Sequence, residues 1–279
     1  MTTDGRTVLI TGSTDGVGRH VAERLGEGGA VVLVHGRDRD RAEAVLATIR
    51  GAGGSGAFYP ADFSSLAEVR TLAEAVARDH GRLDVLVNNA GIGVGRRSEG
   101  RLISRDRHEL RFAVNYLAGF LLTRLLLPLL KASPAARIVN VSSVGQQKID
   151  FADVMLTKGY TGPRAYCQSK LAQIMFTFDL AQELQPSSVT ANCLHPATYM
   201  NTTMVRRDGV TPMSTVDEGA RAILQLIVSP DLAGKTGLYF NGLLPHRADG
   251  QAYDTAVRGR LRTLSFQLAG LPEPTPARL

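Results

Sequence analysis

The sequence predicts an α/β protein, a doubly wound parallel sheet with helices on both faces, forming one domain over residues 1–279. Apolar strand-like runs alternate with helical patterns from Thr7 to Phe240, the order that βαβ units produce. A glycine-rich turn follows the first run and opens a helix. The chain has 279 residues, 44% of them hydrophobic, so it can bury a sizeable core, and no Pro/Ser-rich linker divides it.

Thr7-Val8-Leu9-Ile10 is the first strand, and Val21, Ala22 and Leu25 give the helix after the glycine turn its apolar face. Val31-Val32-Leu33-Val34-His35 is the second strand. Further strands are expected over residues 83–88, 137–142, 189–195 and 237–240, and helices over 39–50, 66–80, 106–131, 164–184 and 215–228. Ser65-x-x-Glu68 and Thr215-x-x-Glu218 are capping boxes at two helix starts. A helical tail is expected over 246–270, with a disordered Pro-rich end after Gly270. Residues 112–130 are apolar enough to raise a membrane span, but Asn115, Arg124 and Pro128 interrupt them, which favours a buried helix. No signal peptide or anchor precedes the first strand, so a soluble, cytoplasmic protein is expected.

The net charge of +6 and the sequence pI near 9.6 come from dispersed arginines without a basic block, and aromatic residues are few. Neither nucleic acid nor membrane is therefore expected as a partner. Arg96 and Arg97 read as a solvated loop. Cys167 and Cys193 have no metal-ligand spacing and suit a reducing compartment, the six histidines form no ligand pattern, and no metal is expected.

The turn Thr11-Gly12-Ser13-Thr14-Asp15-Gly16-Val17-Gly18 has the context of a dinucleotide site. Glycines let the backbone approach a pyrophosphate, and the helix start offers free N–H groups and partial positive charge. The spacing differs from G-x-G-x-x-G. About nineteen residues after Gly18, the second strand ends in Gly36-Arg37-Asp38. An acidic residue near this point would hold ribose hydroxyls, whereas an Arg accommodates a 2′-phosphate, so NADP(H) is preferred. Asp15 opposes phosphate and keeps NAD(H) open.

Tyr166-Cys167-Gln168-Ser169-Lys170 puts a phenol and an ammonium one helical turn apart on one face. A phenol titrates near about 10 and is a poor acid or base at neutral pH, but a neighbouring cation lowers that value. Tyr166 could then exchange a proton with an alcohol or carbonyl.

With Asp62 in Pro60-Ala61-Asp62-Phe63, Asn88-Asn89-Ala90-Gly91, Asn115 in Phe112-Ala113-Val114-Asn115-Tyr116, and Ser143 after Asn140-Val141-Ser142, these motifs fall in the order of one family. The chain resembles the short-chain dehydrogenases/reductases over nearly its whole length. It is most similar to their retinol dehydrogenase and carbonyl reductase branch, through Val141-Ser142-Ser143-Val144, Tyr166-Cys167-Gln168-Ser169-Lys170 and His195-Pro196. The resemblance implies a Rossmann-type domain that moves a hydride between nicotinamide and an apolar carbonyl or alcohol.

It further implies that Tyr166 is the proton donor, that Lys170 lowers its pKa and holds the ribose, that Ser143 bonds the substrate oxygen, with Ser142 its rival, and that Asn115 shapes its helix and positions a relaying water. The implied cofactor residues are Gly12, Thr14, Asp15, Gly16, Val17 and Gly18, Arg37, Asp62 and Phe63 on the adenosine side, and Asn89, Ala90 and Gly91 on the ribose side. Tyr166, Lys170, Pro196, Tyr199, Asn201 and Thr202 complete the set. After Pro196 the family usually continues with Gly and, four residues later, a Thr for the carboxamide; Ala197 and Asn201 stand there, with Thr202 adjacent.

Substrate loops are expected near 92–104, 145–163 and 197–212, with Gly93, Val144, Gly145, Tyr160, Tyr199, Met200 and Met204 lining the cleft. The stretch 147–162 adds Phe151, Met155 and Leu156. Leu117, Leu121 and Leu125 offer an apolar helix surface for a homodimer or tetramer. The other readings are an NAD-dependent alcohol dehydrogenase of the same family, a non-catalytic NADP-binding regulator and an interaction protein with a vestigial cofactor site.

Overall fold

The structure, a computed structural model, describes residues 3, 5–96 and 98–274. Arg97 and the last part of the Pro-rich end lie outside the described residues. Eight strands form one sheet in the order β3-β2-β1-β4-β5-β6-β7-β8. The strands are β1 (Thr7–Ile10), β2 (Val31–Gly36), β3 (Ser55–Pro60), β4 (Val85–Asn88), β5 (Arg137–Val141), β6 (Thr190–His195), β7 (Tyr239–Asn241) and β8 (Leu244–His246). All neighbours are parallel except β7 and β8, which form an antiparallel edge. The sheet is the doubly wound one the sequence predicts.

Helices α1 (Gly16–Glu27), α2 (Arg39–Gly51) and α7 (Val216–Val228) cover one face, where Val21, Leu25, Val45 and Ile223 join Val8, Ile10 and Val34 in one core. On the other face α3 (Leu66–Asp79), α4 (Ala118–Lys131), α5 (Gly162–Glu183) and α8 (Thr255–Leu268) pack on Leu9, Leu86 and Ile138. A short α6 (Thr203–Arg207) rides above the sheet end and has no buried residue.

Several expected elements take a different form. β3 is an unforeseen edge strand: Ser55, Gly56 and Ala57 provide no apolar run, and its side chains are mostly exposed or half-buried. The helix expected over 106–131 starts later, as a π-helical turn Phe112–Leu117 running into α4. The tail is helical only from Thr255, after β8 and a 3₁₀ turn Gly250–Tyr253. Thr215 and Glu218 form the full capping box. At α3 only half forms: Ser65 accepts from Glu68 N, but the Glu68 carboxylate turns to Asp62 N (2.7 Å) and Arg105 (2.6 Å).

The apolar surface expected for an oligomer is inside the fold. Leu117 and Leu121 are fully buried and Leu125 is half-buried, and α8 packs against α5. There the Phe266 ring meets Phe120 edge-on at 5.2 Å, Tyr116 Oη and Ser265 Oγ are 2.6 Å apart, and Arg262 pairs with Asp179 at 3.0 Å. Arg124 spans the rings of Phe120, Phe176 and Phe266 and bonds Glu183. The apolar stretch Phe112–Lys131, the one described segment long and apolar enough to cross a membrane, has 67% of its most apolar window buried in this arrangement.

Candidate active site

The parallel strands point their C-terminal ends to one edge, where the glycine turn after β1 and Ser143 after β5 sit. At β1 the chain turns through Gly12, whose φ is +65° and whose Cβ, if it had one, would lie 2.9 Å from Ala90 Cα. A Cβ on Gly18 would collide with the Gly12 carbonyl and the Asn89 amide. Both positions thus require glycine. The turn is held from below: Thr11 Oγ1 accepts from Asn89 N and Ala90 N at 2.9 Å each, and Asn89 Nδ2 donates to the carbonyls of Thr11 (2.8 Å) and Gly12 (3.1 Å). Asn89 is therefore a brace of the turn, and its amide hydrogens are not free for a ribose.

His35, which sequence reasoning left unassigned, is a second brace. Gly12 N donates to His35 Nδ1 at 3.0 Å, and His35 N donates to Ser13 Oγ at 3.0 Å. Burial pushes the imidazole down to about 4, so at neutral pH it is an uncharged acceptor with its proton on Nε2. Phe63 is buried with its ring 4.4 Å from that imidazole, a packing role in place of the expected cofactor contact. Val17 is buried on the core side of α1, and Thr14 covers Gly36.

Asp15 caps α1, its Oδ1 accepting from Gly16 N at 2.7 Å, while its other oxygen meets Arg41 at 3.3 Å. Its charge is thus shared with a guanidinium that the sequence reading overlooked. Arg37 is 74% exposed at the end of β2 and lies 3.8 Å from Asp62, as does Arg105. Burial raises the Asp62 carboxyl, but Ser64 and the two arginines outweigh it and hold it below the ordinary carboxylate range.

At the end of β5 the two serines separate in role. Ser142 Oγ donates to the Lys170 carbonyl at 2.7 Å, which commits it to α5. Ser143 Oγ accepts from Gly145 N at 3.0 Å, and it and the Tyr166 ring lie 3.4 and 3.7 Å from where a Gly145 Cβ would be. Lys170 Nζ is buried, donates to Val141 O and Gln173 Oε1 at 2.9 Å each, and is 5.7 Å from the Tyr166 ring centroid.

Burial pushes the Lys170 ammonium down to about 7 and the Tyr166 phenol up. The neighbouring Ser143 hydroxyl opposes the rise, whereas Cys167, Asp208 and Tyr199 add to it. The expected lowering of Tyr166 by Lys170 is therefore not realised: desolvation dominates both groups. Nearby His195 lies 3.1 Å from Thr198 Oγ1 through Nε2 and is held near 4 by burial and by Lys170.

Asn115 sits in the π-helical turn. Its Oδ1 accepts from Ile92 N (2.7 Å) and its Nδ2 donates to Ile92 O (3.1 Å) and Ser169 Oγ (3.0 Å), so it joins the loop after Gly91 to α5. Below it a buried ladder crosses the sheet: Asn88 Nδ2 donates to Asn140 Oδ1 (2.8 Å), and Asn140 Nδ2 to Thr177 Oγ1 (2.8 Å) on α5.

Two of the loops expected to border the substrate meet at Arg111, another residue the sequence reading passed over, and the third reaches it through Glu99. Its guanidinium donates to the carbonyls of Gly93 (2.8 Å) and Val94 (2.7 Å), to Tyr160 Oη (2.6 Å) and to Glu99 (3.1 Å), and Glu99 in turn pairs with Arg207 at 3.7 Å. Tyr160 is committed to this network. In the 147–162 stretch Leu156 is fully buried, and Phe151 and Met155 pack on the core, so these side chains anchor the loop. Met200 packs beside Gly219 on α7, away from the cleft.

Asn201 Oδ1 accepts from Arg206 at 2.8 Å, which turns it from the expected carboxamide contact, while the Thr202 methyl lies 3.3 Å from where a Gly16 Cβ would be. Thr202 is thus the residue that faces the glycine turn. Tyr199 (φ +44°), Met204 and Val144 stay exposed at the rim, following Pro196 and Ser143 respectively. Among the described residues no His, Cys, Asp or Glu cluster could hold a metal ion.

The strand order and the braced glycine turn define a dinucleotide-binding α/β protein. The profile of the family described as short chain dehydrogenase matches residues 6–211. Human retinol dehydrogenase 13 is 35% identical, over 98% of this chain and 87% of its own length, and mouse retinol dehydrogenase 14 is 36% identical, over 96% and 86%. A solved protein from Mycobacterium paratuberculosis superposes with TM-score 0.81 at 29% identity, covering 98% of this chain and 97% of that one. A short chain dehydrogenase from Escherichia coli CFT073, solved in complex with NADPH, gives 0.71 at 29% identity, covering 86% and 98%. The chain belongs to the short-chain dehydrogenase family, in the branch of the retinol dehydrogenases.

Proposed function

We propose that the protein is an NADP(H)-dependent reductase of apolar aldehydes or ketones, with Tyr166, Ser143, Lys170 and Asn115 as its catalytic set. The observation that carries this reading is the convergence of the Ser143 hydroxyl and the Tyr166 ring on one side of Gly145, with the buried Lys170 Nζ 5.7 Å from that ring. The glycine turn, too tight for any Cβ at Gly12 or Gly18, fits a pyrophosphate, and the exposed Arg37 suits a 2′-phosphate.

A bound nicotinamide supplies or accepts the hydride. Tyr166, with its phenol held protonated by burial, gives its proton to the carbonyl oxygen as negative charge develops there. Ser143 donates to the same oxygen. Lys170, with its pKa near neutrality, carries charge on demand within reach of the ribose and phenol. Asn115 keeps the loop over the ribose side in place through Ile92. The free cysteines fit a cytoplasmic enzyme. Asp62, within 3.8 Å of Arg37, competes for that guanidinium and favours NAD(H) as the second reading.

NADPH and NADH consumption with a panel of apolar carbonyl compounds tests this. NADPH is expected to be the better cofactor, and Arg37→Asp to reverse the order. Tyr166→Phe is expected to lower kcat about 10²–10⁴-fold while NADPH binding is kept. Turnover unchanged in Tyr166→Phe would overturn the reading.

A further inference from the structure

A groove opens at the end of the sheet opposite the glycine turn, between the last turns of α5, the start of β7 and the 3₁₀ turn Gly250–Tyr253. Its volume is about 320 Å³, within the range of small-molecule sites, about 300–1,000 Å³. Phe178, Ala181, Gly237 and Tyr253 give it apolar walls, and the Phe178 and Tyr253 rings stand 5.3 Å apart at a tilt of 41°. Ala181 follows Tyr166 by fifteen residues on α5, about 22 Å at the helical rise, so the groove is separate from the catalytic cleft.

Arg258 lines this groove, and its charge has no counterion. The residue is 9% exposed. Its Nη1 donates to Ala252 O (3.0 Å) and its Nη2 to Gln182 Oε1 (3.2 Å), both neutral, while the buried Nε has no hydrogen-bond partner. Arg258 forms no ion pair among the described residues, because the carboxylates of the adjoining elements are committed elsewhere. Asp179 pairs with Arg262, Glu183 with Arg124, and Asp254 caps the first N–H groups of α8.

Local stability does not account for this arrangement. Two other arginines with buried side chains each have a glutamate: Arg111 meets Glu99 at 3.1 Å, and Arg124 meets Glu183 at 2.6 Å. Arg258 stands at the start of α8, where the helix dipole is positive, and the end of α5 offers it carbonyl dipoles but no full charge. A second guanidinium, Arg247, lies 5.0 Å over the Tyr253 ring and adds to the positive field on that wall. A charge withdrawn from water without a partner is costly, and an incoming anion recovers part of that cost.

We propose that this groove is a binding site for an aromatic carboxylate, which lays its ring along Phe178 and Tyr253 and sets its carboxylate on Arg258. The second hydrogen on each Nη and the Gln182 amide are the donors for it. A neutral ligand of the same shape leaves the charge uncompensated, and a cationic one is repelled. The site stands independently of the reductase reading.

The test is calorimetric titration of the intact protein with 2-naphthoate, 2-naphthamide and 2-naphthylmethylammonium, without and with NADPH. The wild type is expected to bind the carboxylate about tenfold or more tightly than the amide, and the ammonium more weakly than either. In Arg258→Met the carboxylate-to-amide ratio falls to about one. Gln185→Trp, a change at an exposed position on the rim, fills the groove and weakens naphthoate about tenfold or more. Because the ratio is taken within one variant, a partial loss of folded protein does not mimic the result.

Equal affinities for carboxylate and amide in the wild type, a ratio that Arg258→Met leaves unchanged, or no binding at millimolar naphthoate overturns the proposal. If Arg258→Met does not fold, Gln185→Trp decides: weakened naphthoate supports the site, and unchanged affinity overturns it. Loss of naphthoate binding on addition of NADPH places the probe in the cofactor cleft, which overturns the site and leaves the reductase reading standing.

Discussion

Lys170 Nζ and the Tyr166 ring are 5.7 Å apart, yet the ammonium spends its hydrogen bonds on Val141 and Gln173, and burial moves the two groups in opposite directions. Desolvation brings the lysine close to neutral pH and takes the phenol away from it. Each group is thereby moved toward its uncharged form.

This has a consequence for stability. Lys170 titrates at about 7 in the fold against an ordinary 10.5, so between these values the unfolded chain holds a proton that the folded chain has released. Stability therefore rises with pH through that window, by up to about 1.4 kcal/mol per pH unit from this group. Urea midpoints measured from neutral to mildly alkaline pH should climb in the wild type and flatten in Lys170→Met. An equal climb in both would refute the assignment.

His35 predicts the opposite limb. Its value of about 4 lies below the ordinary 6.5, so the unfolded chain gains a proton first as the pH falls, and stability drops between those values. His35→Gln retains an acceptor for Gly12 N without a titration. Its acid unfolding should be shallower over that interval, and NADPH affinity should stay within about fivefold. A His35→Gln acid profile that superposes on the wild type's would show that the ring is not the sensitive group.

The third prediction concerns α8. Phe266 is buried against Phe120 and Arg124, so Phe266→Ala should cost about 3–5 kcal/mol. With its α4/α5 face closed by its own C-terminal helix, the full chain should sediment as a monomer or associate through another surface. Crosslinks between the α4 helices of two copies, in a protein that keeps the full stability contribution of Phe266, would be incompatible with this packing.

Most of the sheet was legible because several of its strands carry continuous apolar runs, as Val8–Ile10 in β1 and Val31–Val34 in β2 show. β3 was not, since an edge strand of Ser, Gly and Ala carries little pattern, and neither was β8, three exposed residues held by a hairpin. At the site, the positions of Ser143, Tyr166 and Lys170 followed from motif and spacing. The choice of Ser143 over Ser142 rested on the family resemblance alone, and the bond to the Lys170 carbonyl shows that the Ser142 hydroxyl is spent. The family resemblance points Asn89 and Asn201 at the cofactor and the stretch before Tyr166 points Tyr160 at the substrate, whereas their side chains bond the glycine turn, Arg206 and Arg111. Arg111 itself carried no signal, being one Arg among many until the loops of Gly93–Glu99 and Tyr160 converge on it.

The amide ladder from Asn88 through Asn140 to Thr177 ties β4, β5 and α5 with one buried bond at each crossing. Sliding β5 past β4 by one residue would turn Asn140 to the opposite face and break both rungs. Tyr166 and Lys170 ride on the helix that the last rung fixes, so their separation from Ser143 at the end of β5 is inherited from strand alignment. Errors in folding and errors in chemistry then have a common origin here, while the rim formed by Val144, Tyr199 and Met204 is free to diverge without disturbing either.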